Sequence, residues 1–108
     1  MSALDLSLDE MRVQADGLAR HLRALANPAR LLILCRLSAG EASVGELVEV
    51  TGLSQSAVSQ HLALLREAGA VAARVDQQLR HYSISDPQVG RIFDALCSAC
   101  REPDAAPA

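Results

Sequence analysis

Apolar residues recur at Leu8, Met11, Ala15, Leu18, Leu22 and Leu25 with charged residues between them. This spacing is close to the helical period and predicts an amphipathic helix over residues 8–25. Asn27 and Pro28 then restart the chain. An Asn side chain accepts from the free N–H groups of a helix start, and the fixed φ of Pro suits the first helical position. A second helix is therefore expected from Pro28 to about Ser38, stopping at Gly40. Its sequence, ARLLILCRL, is apolar on nearly every side, which predicts a core helix.

The next elements are short. Ser43-Val44-Gly45-Glu46 has the spacing of a capping box and opens a helix that Thr51-Gly52 closes. Ser54 is placed to cap a fourth helix whose Val58, Leu62 and Leu65 face inward and which Gly69 stops. Two helices joined around Gly52, the second opening on the polar run SQSAVSQH, have the outline of a helix-turn-helix. Beyond Gly69 the extended segments AVAARV and LRHYSI, separated by Asp76-Gln77-Gln78, predict a β-hairpin. The connection lacks the Asn-Gly or Asp-Gly of a tight two-residue turn, so a longer, mobile tip is expected. Asp86 and Pro87 open a last helix striped by Val89, Ile92, Phe93, Leu96, Cys97 and Cys100. The tail REPDAAPA is expected to be disordered. The fold predicted is mainly α with a β-hairpin wing: one domain over residues 1–101 and a tail over 102–108.

Composition narrows what such a domain does. At 108 residues there is room for one domain and not for a large multi-step enzyme. Apolar residues are 50% of the chain but aromatics only 2%, Tyr82 and Phe93, so the core must be built from aliphatic side chains. A core that thin gains from burying helix faces against a second copy. No apolar run approaches the ~18 residues of a membrane span, and MSALDLSLDEM lacks the features of a signal peptide, which predicts a cytosolic protein. The formal charge is −3, with ten Arg and no Lys, which argues against indiscriminate binding of polyanions. The location of those arginines matters more than their sum.

Gln55, Ser56, Ser59 and Gln60 fall on the first two turns of the fourth helix, where short polar side chains meet base edges and backbone N–H groups meet phosphate. The plainer reading is a capped, solvated helix start. The clean apolar opposite side favours DNA contact, with Gln the best base reader of the set because its amide bonds adenine at two points. Arg74 and Arg80 lie on the hairpin, where they either solubilise it or contact phosphates and the minor groove. His61 is read as a brace of the helix or a phosphate ligand; no nucleophile and carboxylate accompany it. His21 and His81 are read as surface or interface residues.

The order of elements, the run ALANPARLLIL with Asn27-Pro28-Ala29-Arg30, the block from Leu53 to Gly69 with SQSAVSQHLALL at Ser54 to Leu65, and RHYSIS resemble the ArsR/SmtB family of small homodimeric winged-helix repressors. The resemblance covers residues 18–100. It implies a homodimer through the first and last helices, double-stranded operator DNA as partner, and DNA contacts from Ser54, Gln55, Ser56, Ser59, Gln60, His61, Arg74 and Arg80. It implies no catalytic residue and no cofactor. The metal sensors of the family carry thiolates in the third helix, at positions where this chain has Ser43 and Gly45. Their zinc site in the last helix needs histidines, and residues 87–101 contain none.

Three cysteines remain, an odd number for a disulfide framework: Cys35, Cys97 and Cys100. Cys35 late in the second helix with a Cys near the end of the last resembles the subgroup that senses persulfides and polysulfides through a thiol pair. That resemblance implies a switch formed by Cys35 and Cys100 across the two helices, at or just beyond disulfide reach, with Cys97 as the alternative partner. The alternatives are a buried Cys35 acting as a small hydrophobe, three thiolates binding As(III) or another soft ion, and thiol oxidoreductase chemistry on the C-x-x-C of Cys97 and Cys100. All three cysteines fall near helix C-termini, where the dipole opposes a thiolate. Activation would have to come from Arg36, Arg101 or the other subunit.

Overall fold

The computed structural model describes residues 6–101, Arg101 by its backbone alone. The tail expected over 102–108 lies outside these residues. Five helices and three strands follow in the order α1 (Leu8–Leu25), α2 (Pro28–Leu37), β1 (Ala42–Ser43), α3 (Val44–Thr51), α4 (Gln55–Glu67), β2 (Val71–Asp76), β3 (Leu79–Ile84) and α5 (Pro87–Arg101).

The helix boundaries have identifiable causes. Ser7 and Glu10 form a reciprocal capping box at the start of α1, one the apolar spacing did not reveal. Asn27 Oδ1 accepts from the N–H groups of Ala29 and Arg30 at 2.9 and 3.2 Å, and Pro28 occupies the first position of α2. Ser43 and Glu46 close the expected box at α3, and Gly52 ends that helix with φ 73°, in the left-handed region that glycine tolerates. Ser54 Oγ accepts from Ala57 N–H at 3.1 Å and starts α4. Asp86 Oδ1 accepts from Gln88 N–H at 2.8 Å at the start of α5.

The sheet is antiparallel, in the order β1-β3-β2. Its first strand is too short to show in the sequence, yet it matters. Ala42 pairs with Tyr82 and Ser43 with His81, so the start of α3 is fixed to the wing. The longer, mobile tip expected for the hairpin is corrected. Asp76 pairs with Leu79, and only Gln77 and Gln78 connect the strands, at φ 52° and 74°. Two successive left-handed residues match the right-handed twist of the strands, so the tight primed geometry forms without Asn or Gly.

Ile33 and Leu34 of α2, Leu47 of α3, Val58, Leu62 and Leu65 of α4 and Val89 of α5 bury their side chains completely or nearly so. Two faces stay open. In α1 only Leu25 is buried, while Leu8, Val13 and Leu22 are 61%, 71% and 46% exposed. The expectation that α2 is core all round is also corrected. Leu31, Leu32 and Cys35 look outward, because the neighbouring elements cover one side of α2 only.

Candidate DNA interface and thiol groove

At one end of the molecule α3 and α4 meet through the turn at Gly52, Leu53 and Ser54. Gln55, Ser56, Ser59 and Gln60 are all exposed on the first turns of α4, and none of their side chains is hydrogen-bonded within the described residues. Ser54 differs, since its hydroxyl is engaged in the cap. Its contribution to an anion is then through the helix start it fixes.

His61 is half-buried, and its Nδ1 lies 3.5 Å from Arg30 Nη1. The Arg30 Nε donates to the Ala24 carbonyl at 2.6 Å and Nη2 to the Arg23 carbonyl at 3.4 Å. Arg30 thus ties the end of α1 to α4, with His61 as the contact on α4. The sequence held no signal for that partner, 31 residues away.

The two wing arginines are in different electrostatic states. Arg74 donates from Nε and Nη2 to the two carboxylate oxygens of Glu41, each at 2.8 Å, and its Nη1 is 3.8 Å from Asp76. This two-point bond holds the Glu41 carboxyl below its usual range and raises Arg74. Arg80 is exposed and has no ion pair within the described residues. Glu41 is a residue the sequence did not single out. It precedes β1, and only the pairing of β1 with β3 brings it beside the wing.

Of the two readings offered for His21, surface or interface, the structure removes the surface one and shows a tie between helices. Its Nε2 lies 3.0 Å from Asp86 Oδ2, with the imidazole only 14% exposed, and this joins α1 to the start of α5. Its Nδ1 is buried without a hydrogen-bond partner within the described residues.

The cysteines converge elsewhere. Cys35 of α2 and Cys97 and Cys100 of α5 line one groove of about 480 Å³, together with Pro28, Leu31, Leu32, Phe93 and Leu96. None is in a disulfide; Cys35 and Cys100 are exposed and Cys97 is half-buried. Cys35 is therefore not the sealed hydrophobe of the plainer reading. Activation by Arg36 finds no support, because its Nη1 donates to the Gly40 carbonyl at 3.0 Å and its Nη2 approaches the Glu41 carbonyl and the Glu46 carboxylate. Among the described residues no group of three or more His, Cys, Asp or Glu side chains is arranged to hold a metal ion.

A capped helix-turn-helix with an exposed polar second helix, flanked by a small antiparallel wing, defines the class: a winged-helix DNA-binding regulator. Residues 27–73 match the family model described as bacterial regulatory protein, arsR family. The chain is 43% identical over 90 residues to the HTH-type transcriptional regulator YgaV of Escherichia coli (strain K12), covering 82% of this chain and 91% of that protein. The crystal structure of the transcriptional repressor BigR from Xylella fastidiosa superposes with a TM-score of 0.79 at 33% identity, over 87% of this chain and 96% of that one. The solution structure of a homodimeric winged helix-turn-helix DNA-binding domain from Mycobacterium bovis gives 0.76 at 31% identity, over 94% and 92%. The protein belongs to the ArsR family and is a transcriptional regulator, not an enzyme. Among the described residues no helix is long and apolar enough to cross a membrane.

Proposed function

We propose that the protein is a homodimeric repressor that reads operator DNA with α4 and the wing and leaves it when reactive sulfur species link Cys35 to Cys100. The observation that carries this reading is the shared groove: thiols 65 positions apart in the chain face the same space between α2 and α5. The fit to BigR, described as a repressor, supports the direction of regulation. The exposed apolar residues of α1 support dimerisation, as does the homodimeric Mycobacterium bovis domain. So does a radius of gyration of 15.8 Å, where a compact domain of about 100 residues has roughly 13 Å.

The switch needs little energy. A ~100-fold loss of operator affinity corresponds to about 2.7 kcal/mol, and a covalent link between a core helix and a dimerisation helix acts on the separation of the two recognition helices. In the reaction the Cys35 thiolate displaces a leaving thiol from the oxidant, and the Cys100 thiolate displaces the second. The two thiol protons leave with the two leaving groups, and the oxidant is reduced by two electrons. The test joins operator binding to intact mass, before and after polysulfide. Wild type should bind when reduced and release when linked. Cys35→Ser and Cys100→Ser should bind in both states, and Cys97→Ser should still release. Release of DNA by treated Cys35→Ser would overturn the switch, and a stable monomer at micromolar concentration in sedimentation would overturn the dimer.

A further inference from the structure

Every described residue lining the groove is either apolar or a thiol: Pro28, Leu31, Leu32, Phe93 and Leu96 form the walls around the three cysteines. None carries a charge. On the α2 side the two arginines nearest in sequence are engaged elsewhere, Arg36 on the Gly40 carbonyl and Arg30 on the Ala24 carbonyl. Sulfur donors divide into two kinds. Those built on cysteine or glutathione carry carboxylates and an ammonium group, which must give up water as they enter an apolar groove and find no ion partner among its described lining residues. Uncharged donors such as a dialkyl polysulfide bring alkyl groups whose burial is favourable. A space of about 480 Å³ is of ordinary size for a small-molecule pocket.

Resting on the thiol-switch reading above, we infer that the groove selects uncharged, lipophilic sulfane-sulfur donors over ionic ones. With a dialkyl trisulfide, the Cys35 thiolate attacks the central sulfur, forming one S–S bond, breaking another and expelling an alkanethiolate. The Cys100 thiolate then attacks the same sulfur, now carried by Cys35, and expels the second alkanethiolate. The protons lost by the two cysteines end on the two alkanethiols. The central sulfur stays as a trisulfide bridge, the protein is oxidised by two electrons, and the reagent is reduced by two. A bridge with an extra sulfur also spans a wider gap than a disulfide.

The test compares diallyl trisulfide with glutathione trisulfide at equal concentration on the full-length reduced protein. Intact mass follows the gain of one sulfur less two hydrogens. Each rate ratio is divided by that of the chain unfolded in guanidinium, which removes the intrinsic reactivity of the reagents. The folded protein should favour the diallyl reagent by at least about tenfold, the size of one decade in affinity from burial alone. Leu32→Arg should reduce that preference to near unity, because Leu32 stands 47% exposed at the groove and tolerates a longer side chain without repacking the core. Equal rates in the wild type would overturn the selectivity while leaving the switch intact, and so would an unchanged ratio in Leu32→Arg. If both reagents bridge the thiols with the expected preference and DNA stays bound, the switch fails and the selectivity stands.

Discussion

The helix-turn-helix of α3 and α4 starts and stops on polar side chains that bond within a few residues of themselves; the groove between α2 and α5 is built on apolar walls and long-range packing. At the first, Ser43, Ser54 and Gly52 fix helix starts and stops within a few residues of themselves, while the outward side chains of Gln55, Ser56, Ser59 and Gln60 stay uncommitted among the described residues. At the second, Cys35 and Cys100 line the same groove as Phe93, which is 3% exposed and helps to seat α5 against the core. The helix starts and stops of the first region are specified locally, whereas the groove of the second is specified by how two helices lie together.

The sharpest way to break this contrast is to remove packing beneath the groove. Phe93→Ala should destabilise the protein by about 3–5 kcal/mol, because it deletes a buried aromatic and leaves a cavity. Cys100→Ser, at an exposed position on the same helix, should stay within about 0.5 kcal/mol of wild type. Denaturant unfolding of the reduced proteins measures both. Similar midpoints for the two variants would mean that α5 is not seated as described.

The exposed polar face of α4 should behave in the opposite manner. Gln55→Ala and Gln60→Ala remove exposed side chains and should leave unfolding midpoints unchanged. Each should relax base discrimination by roughly 1–3 kcal/mol at the position it reads. Titration against single-base operator variants measures this. A uniform loss over all variants would make the glutamines backbone contacts instead.

How legible each region was in the sequence follows the same division. The helix-turn-helix could be read because a capping box spans four residues and a C-terminal glycine acts on its own helix. The boundaries of α1 could be read as well, from apolar spacing alone. What escaped were contacts whose partners lie far along the chain. Nothing local to Glu41 indicates Arg74, because the pairing of β1 with β3 creates that contact. Nothing local to His21 indicates Asp86. The tight hairpin escaped for another reason: strand twist imposed left-handed φ on Gln77 and Gln78 against the preference of their side chains. The shared groove of Cys35 and Cys100 was expected only through resemblance to a family, since periodicity alone assigned α2 to the core on all sides.

The smallest effect, and the most discriminating for the wing, is expected at Glu41. Its carboxylate occupies the same fork of Arg74 that a DNA phosphate would use, so in the free protein only Arg80 of the two wing arginines is uncommitted. Glu41→Gln removes the competing charge. Phosphate contacts carry no sequence information, so operator and random DNA should both bind more tightly, with a salt dependence steeper by about 0.9 in log K per log salt for each subunit. Arg80→Ala should change that slope by about the same amount in the other direction. The same pair gives a pH signature. The Arg74 bond lowers the folded-state value of Glu41, so its stabilisation is present above the unfolded carboxylate value and is lost as pH falls through the lowered folded value. Wild type and Glu41→Gln should therefore differ in stability at neutral pH and converge in acid. The pair is exposed, so the difference is small. An unchanged salt slope in Glu41→Gln, together with a reduced one in Arg80→Ala, would show that the wing meets DNA through Arg80 and that Arg74 serves only to fasten β2 to the segment before β1.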